Sequence, residues 1–454
     1  MPRIFPLPTR LLRYSLAIVG PFGSAGAQFA LSFVLLRHVA PSAFGRFSFL
    51  LVASQLSTGV WSALFCAPLP ILLAGAGGDA RAEPVRSVLT VSLVGAIVGF
   101  GVALAMALAL GDGTTGALLF AGYAATNLLR WLARAHAYAC GRPFRTTASD
   151  LAYALVLLAG TAVVALAGPT SAVPAYAALL AGTAAGLLPF GRTYLADQFL
   201  RASPRVARAY RPVWRDHARW SLFGVLTTEA TANSHAYLVT LLLGPTAFAP
   251  VAASQLAIRP INVAVNALTE FERAQMAREI GAGRFDAALA AVRLFRWVLV
   301  ATWSAIGLGI VLLLWRAPHA LYPRSYDLHT LTIATALWMA VAIVRLARTP
   351  DNALMQAGGA FRPLAMASAW SSGVSVAAVL ALILAGGPVL SILGILGGEL
   401  LFALFIWRRS RRWLADARVT SPDPAAADAA TIAESAPMLP IGADETIGRP
   451  PDLR

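Results

Sequence analysis

Residues 227–270 read TTEATANSHAYLVTLLLGPTAFAPVAASQLAIRPINVAVNALTE. They form two apolar segments joined at Gly244-Pro245, each long enough as a helix to cross a bilayer core. The first carries Glu229, Asn233 and His235; the second carries Gln255, Arg259, Asn262, Asn266 and Glu270, spaced by four, three, four and four residues. At about 100° per residue, those five fall within a stripe of roughly 80° on one helix face. A polar stripe on a membrane helix does not face lipid tails; it faces other helices or a water-filled cavity. The rest of the chain reads as the wall of that cavity.

Of the 454 residues, 58% are hydrophobic and 13% charged, and the mean hydropathy is +0.68. Soluble domains are about 25% charged. The expected class is an all-α polytopic membrane protein, since a membrane barrel would show short alternating segments instead. Twelve spans are predicted, at about 15–38, 48–74, 87–110, 115–135, 148–167, 173–194, 220–243, 247–269, 295–315, 329–347, 364–385 and 388–407. The apolar run after Arg10-Leu11-Leu12-Arg13 continues to about Val39, too long for a signal peptide, and reads as the first span.

Every basic residue other than histidine is arginine. With the N-terminus placed in the cytoplasm, 29 arginines fall on the inner side and four (Arg37, Arg46, Arg316, Arg324) on the outer. That bias is the one expected of twelve spans with both ends inside. It also explains the +15 net charge without nucleic acid as a partner. The outer loops are too short for an external domain. Cys66 and Cys140 are not placed for an external disulfide, and no metal spacing occurs.

Internal repeats divide the chain. Pro41-Ser42-Ala43-Phe44 returns as Pro245-Thr246-Ala247-Phe248, and Ala53-Ser54-Gln55-Leu56 as Ala253-Ser254-Gln255-Leu256. Later, Gly141-Arg142-Pro143-Phe144-Arg145 is echoed by Gly358-Gly359-Ala360-Phe361-Arg362. Six-span halves in parallel duplication are a transporter architecture. The predicted units are an N-terminal half over residues 1–195, a basic cytoplasmic linker over 196–218, a C-terminal half over 219–414 and a disordered cytoplasmic tail over 415–454.

No catalytic constellation, metal motif or cofactor fingerprint is present, so no enzyme activity is expected. Arg259 is the informative residue. A charge near the midplane costs about 2.5–3.5 kcal/mol to insert. Two readings stand: an ion pair with Glu229 at similar depth, or an anion site on a transport path. Asn233, His235, Gln255, Asn262, Asn266, Gln28 and Gln55 complete the candidate binding set, although His235, Gln28 and Gln55 each suit helix packing as well. Pro68 and Pro70 predict a bend at the close of the second span.

Gly20-Pro21-Phe22-Gly23-Ser24, followed after the first span by Arg37-His38-Val39-Ala40-Pro41-Ser42-Ala43-Phe44-Gly45-Arg46-Phe47, resembles polysaccharide (O-antigen) flippases of the Wzx type, in the multidrug/oligosaccharidyl-lipid/polysaccharide exporter superfamily. The resemblance covers about residues 10–414. It implies two six-helix lobes around a central cavity in a bacterial inner membrane. The implied cargo is a polyprenyl-pyrophosphate-linked oligosaccharide for exopolysaccharide or O-antigen synthesis, with polymerases and glycosyltransferases as associated enzymes. Arg259 is the best match to the cationic lining such a head group requires. Two rivals remain: a drug or organic-cation antiporter of the same superfamily, for which Glu229 and Glu399 are available acids, and a membrane-embedded glycan polymerase or ligase.

Overall fold

The structure, a computed structural model, describes residues 7–74, 82–200 and 203–420. No strand occurs among them, and twelve long helices account for most of the chain. In the first half these are α1 (Leu7–His38), α2 (Pro41–Trp61), α3 (Ala82–Ala109), α4 (Thr114–Ala139), α5 (Pro143–Ala167) and α6 (Val173–Leu187). In the second they are α7 (Arg219–Leu243), α8 (Pro245–Gly281), α9 (Phe285–Arg316), α10 (Leu328–Ala357), α11 (Phe361–Gly386) and α12 (Ser391–Thr420). Each predicted span falls on one of them, the second and sixth running on past the ends of α2 and α6. Nine have a stretch apolar and long enough to cross a membrane. The other three are α1, α4 and α7; the last two carry Asn127, Arg130 and Arg134, and Glu229, Asn233 and His235, so their polar side chains lower the average.

The helix pairs repeat. In the first half α1 packs on α5, α5 on α6, α6 on α4, α4 on α3, and α4 also on α2. Adding six to each number gives the pairs of the second half: α7 with α11, α11 with α12, α12 with α10, α10 with α9, and α10 with α8. The halves are thus two copies of one six-helix lobe. The repeated Pro41 and Pro245 are the first residues of α2 and α8, where a missing N–H costs nothing. Gly141 and Gly359 both take left-handed φ values, 69° and 74°, each two residues before its helix, α5 or α11, begins.

The lobes meet along α2 and α8, flanked by α1 against α8 and α7 against α2. At the start of that seam Gly45 is so close to Pro245 that a Cβ would fall 1.9 Å from the Pro245 carbonyl oxygen. Phe49 meets Phe248 edge-on, and Phe44, Phe47 and Phe248 are fully buried in one core that spans both lobes. Farther out, α9 exposes Leu294, Trp297, Leu308 and Val311, an apolar face suited to lipid.

At Pro68, where the sequence predicts a bend, the helix is interrupted. After Trp61 the helix widens into a π-turn, Ser62–Cys66, closed by Ala67 N–H to Ser62 O at 2.9 Å, and resumes as Leu69–Ala74. In contrast, α8 continues through Pro260 to Gly281.

The linker is structured where it is described. Arg192–Phe199, Pro204–Ala207 and Tyr210–Val213 are short helices, and they dock on the first lobe. Gln198 Nε2 donates to Leu89 O at 3.2 Å, and Tyr210 Oη to Leu64 O at 2.8 Å. The start of the proposed tail is different from expectation: residues 415–420 continue α12, and residues 421–454 lie outside the described residues.

Candidate functional site

Two chambers of about 430 and 350 Å³ adjoin between the lobes and share Ala25, Gln28, Gln55 and Asn266. The larger lies toward the second lobe and adds Asn233, Gln255, Arg259, Asn262, Arg345 and Thr349. The smaller lies toward the first lobe and adds Ser54, Thr58, Tyr123, Asn127, Arg130, Arg134, Asp150 and Tyr153. Seven of the nine residues singled out from sequence therefore converge on one cavity: Gln28, Gln55, Asn233, Gln255, Arg259, Asn262 and Asn266.

The other two lie elsewhere. Glu229 sits one turn along α7 and accepts from Asn233 Nδ2 at 2.7 Å, orienting that amide from behind. His235 is fully buried away from the cavity, 5.0 Å from the Trp338 ring, and neither ring nitrogen has a hydrogen-bond partner among the described residues. Its helix position turns it toward α10 rather than inward, a rotation that spacing alone does not fix. The side chain of Glu270 lies outside the described residues.

The pairing of Arg259 with Glu229 is not what the structure has. Among the described residues Arg259 makes no ion pair; its Nη1 donates to Ser32 Oγ at 3.0 Å, across from α8 to α1. A guanidinium has five N–H donors, so one neutral hydroxyl leaves most of its bonding capacity for whatever enters the cavity.

Four further arginines, counted from sequence as inner-loop residues, are drawn into the helices around the cavity. Asp150 on α5 holds two of them: its Oδ1 accepts from Arg130 at 2.5 Å and its Oδ2 from Arg134 at 2.9 Å. Arg130 also bonds Ser149 Oγ at 3.0 Å and lies over the Tyr153 ring, whose hydroxyl accepts from Gln28 Nε2 at 2.8 Å. Glycines make the room. A Cβ on Gly186 would fall 2.5 Å from Arg130 Nε, and one on Gly20 would fall 2.9 Å from Asp150 Oδ2. Ser24, in the same Gly20–Ser24 motif, donates to Asp150 O at 3.3 Å. The motif is thus the surface by which α1 closes over the buried acid.

The second lobe repeats the device with different parts. Glu399 on α12, 1% exposed, accepts from Arg345 Nε at 2.7 Å and Arg348 Nε at 2.8 Å, one arginine per oxygen. Arg345 Nη2 and Arg134 Nε are buried without partners among the described residues. In each lobe one carboxylate is divided between two guanidiniums, so each clamp keeps a net positive charge. With Arg259 added, the cavity wall is cationic. The sequence signals were an acid inside an apolar span (Asp150, Glu399) and arginines three or four apart near a span end (Arg130 with Arg134, Arg345 with Arg348).

No protein-family model and no curated protein matches this sequence. The fold does match solved structures. An inward-facing multidrug resistance MATE transporter of the MOP superfamily is similar at a TM-score of 0.64 and 13% identity, over 90% of this chain and 100% of that one. The lipid II flippase MurJ, in an inward closed conformation, is similar at 0.61 and 10% identity, over 89% of this chain and 90% of that one. A MOP superfamily transporter from Pyrococcus furiosus, in which reverse polarity of the binding pocket suggests a different function, is similar at 0.56 and 14% identity, over 90% and 96%. The class defined here is a polytopic membrane protein with two six-helix lobes around a central cavity. The chain has the fold of these MOP superfamily structures.

Proposed function

We propose that the protein is a transporter that moves an anionic lipid-linked glycan, a polyprenyl-pyrophosphate oligosaccharide, across a bacterial inner membrane with both termini in the cytoplasm. The observation that carries this reading is the charge of the cavity. The acid that lines it, Asp150, is engaged by two arginines, and Glu399 behind Arg345 by two, while Arg259 has, among the described residues, only the Ser32 hydroxyl. A diphosphate leaving water needs compensating charge and donors, and guanidiniums supply both. Gln28, Gln55, Gln255, Asn262 and Asn266 offer the amide donors and acceptors that sugar hydroxyls use. The MurJ likeness supports a lipid-borne cargo, and a Wzx-type role fits the Gly20–Ser24 and Arg37–Phe47 stretches. The reading makes the protein a carrier rather than an enzyme, working beside the glycosyltransferases and polymerase of the same polysaccharide.

The rival is an organic-cation antiporter: a cation carrier needs an acid free to bind cation or proton, and Glu229, bonded to the Asn233 amide one turn along α7, is the residue that could supply it, whereas Asp150 and Glu399 are held by arginine pairs. The test is reconstitution in liposomes with two probes, a fluorescent polyprenyl-pyrophosphate glycan and ethidium. The expected result is translocation of the glycan lipid, reduced at least tenfold in Arg259→Ala, and no ethidium uptake. Ethidium uptake without glycan movement would replace this reading by the antiporter.

A further inference from the structure

A third recess, of about 540 Å³, lies outside the central cavity, at the end of the first lobe where α4 gives way to α5. It is walled by α3, the end of α4, the start of α5 and the helix Arg192–Phe199. Arg86, Arg142 and Arg145 line it with His136 and Thr193, against a single acid, Asp197. Arg145 is spent in part on the Phe190 carbonyl. Arg86 and Arg142 are exposed, and their side chains make no ion pair among the described residues. All three arginines belong to the side that the charge distribution assigns to the cytoplasm.

Two helices begin at this recess, α5 at Pro143 and the eight-residue helix at Arg192. Their N-terminal ends add partial positive charge and unused N–H groups to the arginines. Near it in the chain, Phe144, Leu188 and Leu200 are 58, 69 and 82% exposed, so the arginines stand beside an apolar surface. A phosphate at the recess would have its attached chains next to hydrocarbon. Basic pockets between membrane helices on the cytoplasmic side are where anionic lipid head groups bind.

We propose that this recess seats the phosphate of an anionic phospholipid, with Arg86 and Arg142 as its principal donors. The site is independent of the cargo path, because it shares no lining residue with the central chambers. A lipid held there would contact the docked linker through Thr193 and Tyr194, and so would fasten the helix Arg192–Phe199 to the first lobe.

The test uses the full chain in nanodiscs of phosphatidylcholine with a small fraction of phosphatidylglycerol, and reads retained phosphatidylglycerol by native mass spectrometry. Each juxtamembrane arginine contributes roughly fivefold to binding of an anionic lipid. Arg86→Gln with Arg142→Gln should therefore weaken retention about thirtyfold. Arg408→Gln with Arg409→Gln, exposed arginines on α12 away from the recess, should change it less than twofold. Both pairs are exposed, so folding is preserved, and the melting temperature checks this. Equal loss in the two double variants would reduce the effect to general surface charge and overturn the site. Displacement of phosphatidylglycerol by millimolar inorganic phosphate would assign the recess to a free anion and overturn the lipid. Retention unchanged in the Arg86/Arg142 variant would remove the proposal altogether.

Discussion

Gly45 offers a direct handle on how the lobes move. Substitution by alanine places a methyl 1.9 Å from the Pro245 carbonyl oxygen and 3.3 Å from the Ala249 Cβ. An ordinary carbon–oxygen contact is about 3.4 Å, so the starts of α2 and α8 must part by roughly 1.5 Å. The clash is with backbone, so no side-chain rotation relieves it. Overpacking of this kind costs about 1–3 kcal/mol. At about 1.4 kcal/mol per tenfold, the state in which these ends touch loses roughly five- to hundredfold or more in population against any state in which they separate. The assay is a distance measurement between spin labels at Ser42→Cys and Thr246→Cys, which occupy equivalent first-turn positions of the two helices, with Cys66 and Cys140 replaced by serine. Gly45→Ala should shift the distribution to the longer distance. Gly26→Ala, where an added Cβ meets nothing within 4 Å, should leave it in place. A folded Gly45→Ala protein with an unchanged distribution would refute the view that the backbone contact at Gly45 sets how closely the two helix starts approach.

Other substitutions separate support from cargo binding. Because Arg259 pairs with Ser32 and not with Glu229, Arg259→Gln should keep the melting temperature within a few degrees while glycan-lipid transport falls; Arg259→Lys, which retains charge but not the planar fork, should transport at an intermediate rate. Glu399→Gln strands Arg345 and Arg348 and should cost about 3–5 kcal/mol, seen as a lower denaturation midpoint or loss of folded protein in detergent. For the orientation, single cysteines at Gly113, Ser171 and Gly387 in the cysteine-free protein should react with an impermeant thiol reagent from outside. Those at Ser203 and Gly281 should not, and reversed labelling would invert the assignment.

What the sequence makes legible follows from local periodicity. Twelve apolar stretches, the six-plus-six division and the seven cavity residues on α1, α2, α7 and α8 all come from polar residues inside apolar helices, from spacing within one helix or from short repeats. The arginine clamps do not. Asp150 and Arg130 are twenty residues apart and Glu399 and Arg345 fifty-four apart, on helices whose relative rotation only packing decides. The same limit explains Arg259, assigned to Glu229 by equal depth in neighbouring spans. Depth places two residues at one level of the membrane, but the facing of α7 and α8 keeps them apart, and Ser32 of α1 takes the contact instead. His235 has the same origin: three polar residues on one helix need not share a face, and Asn233 and His235, two apart, are about 200° around it.

The two clamps also divide the fold's mechanical response. In the first lobe the shared carboxylate ties α4 to α5; in the second it ties α10 to α12. The backbone pairs obey a two-fold relation, yet the charged fastenings do not. An anion drawing Arg130 and Arg134 away from Asp150 would loosen the helix that rests on α1, whereas one drawing Arg345 and Arg348 from Glu399 would loosen α12, the last of the described helices. The same negative charge would therefore release a different joint depending on which clamp it reached, so the two halves of a two-fold frame differ in what an anion can free.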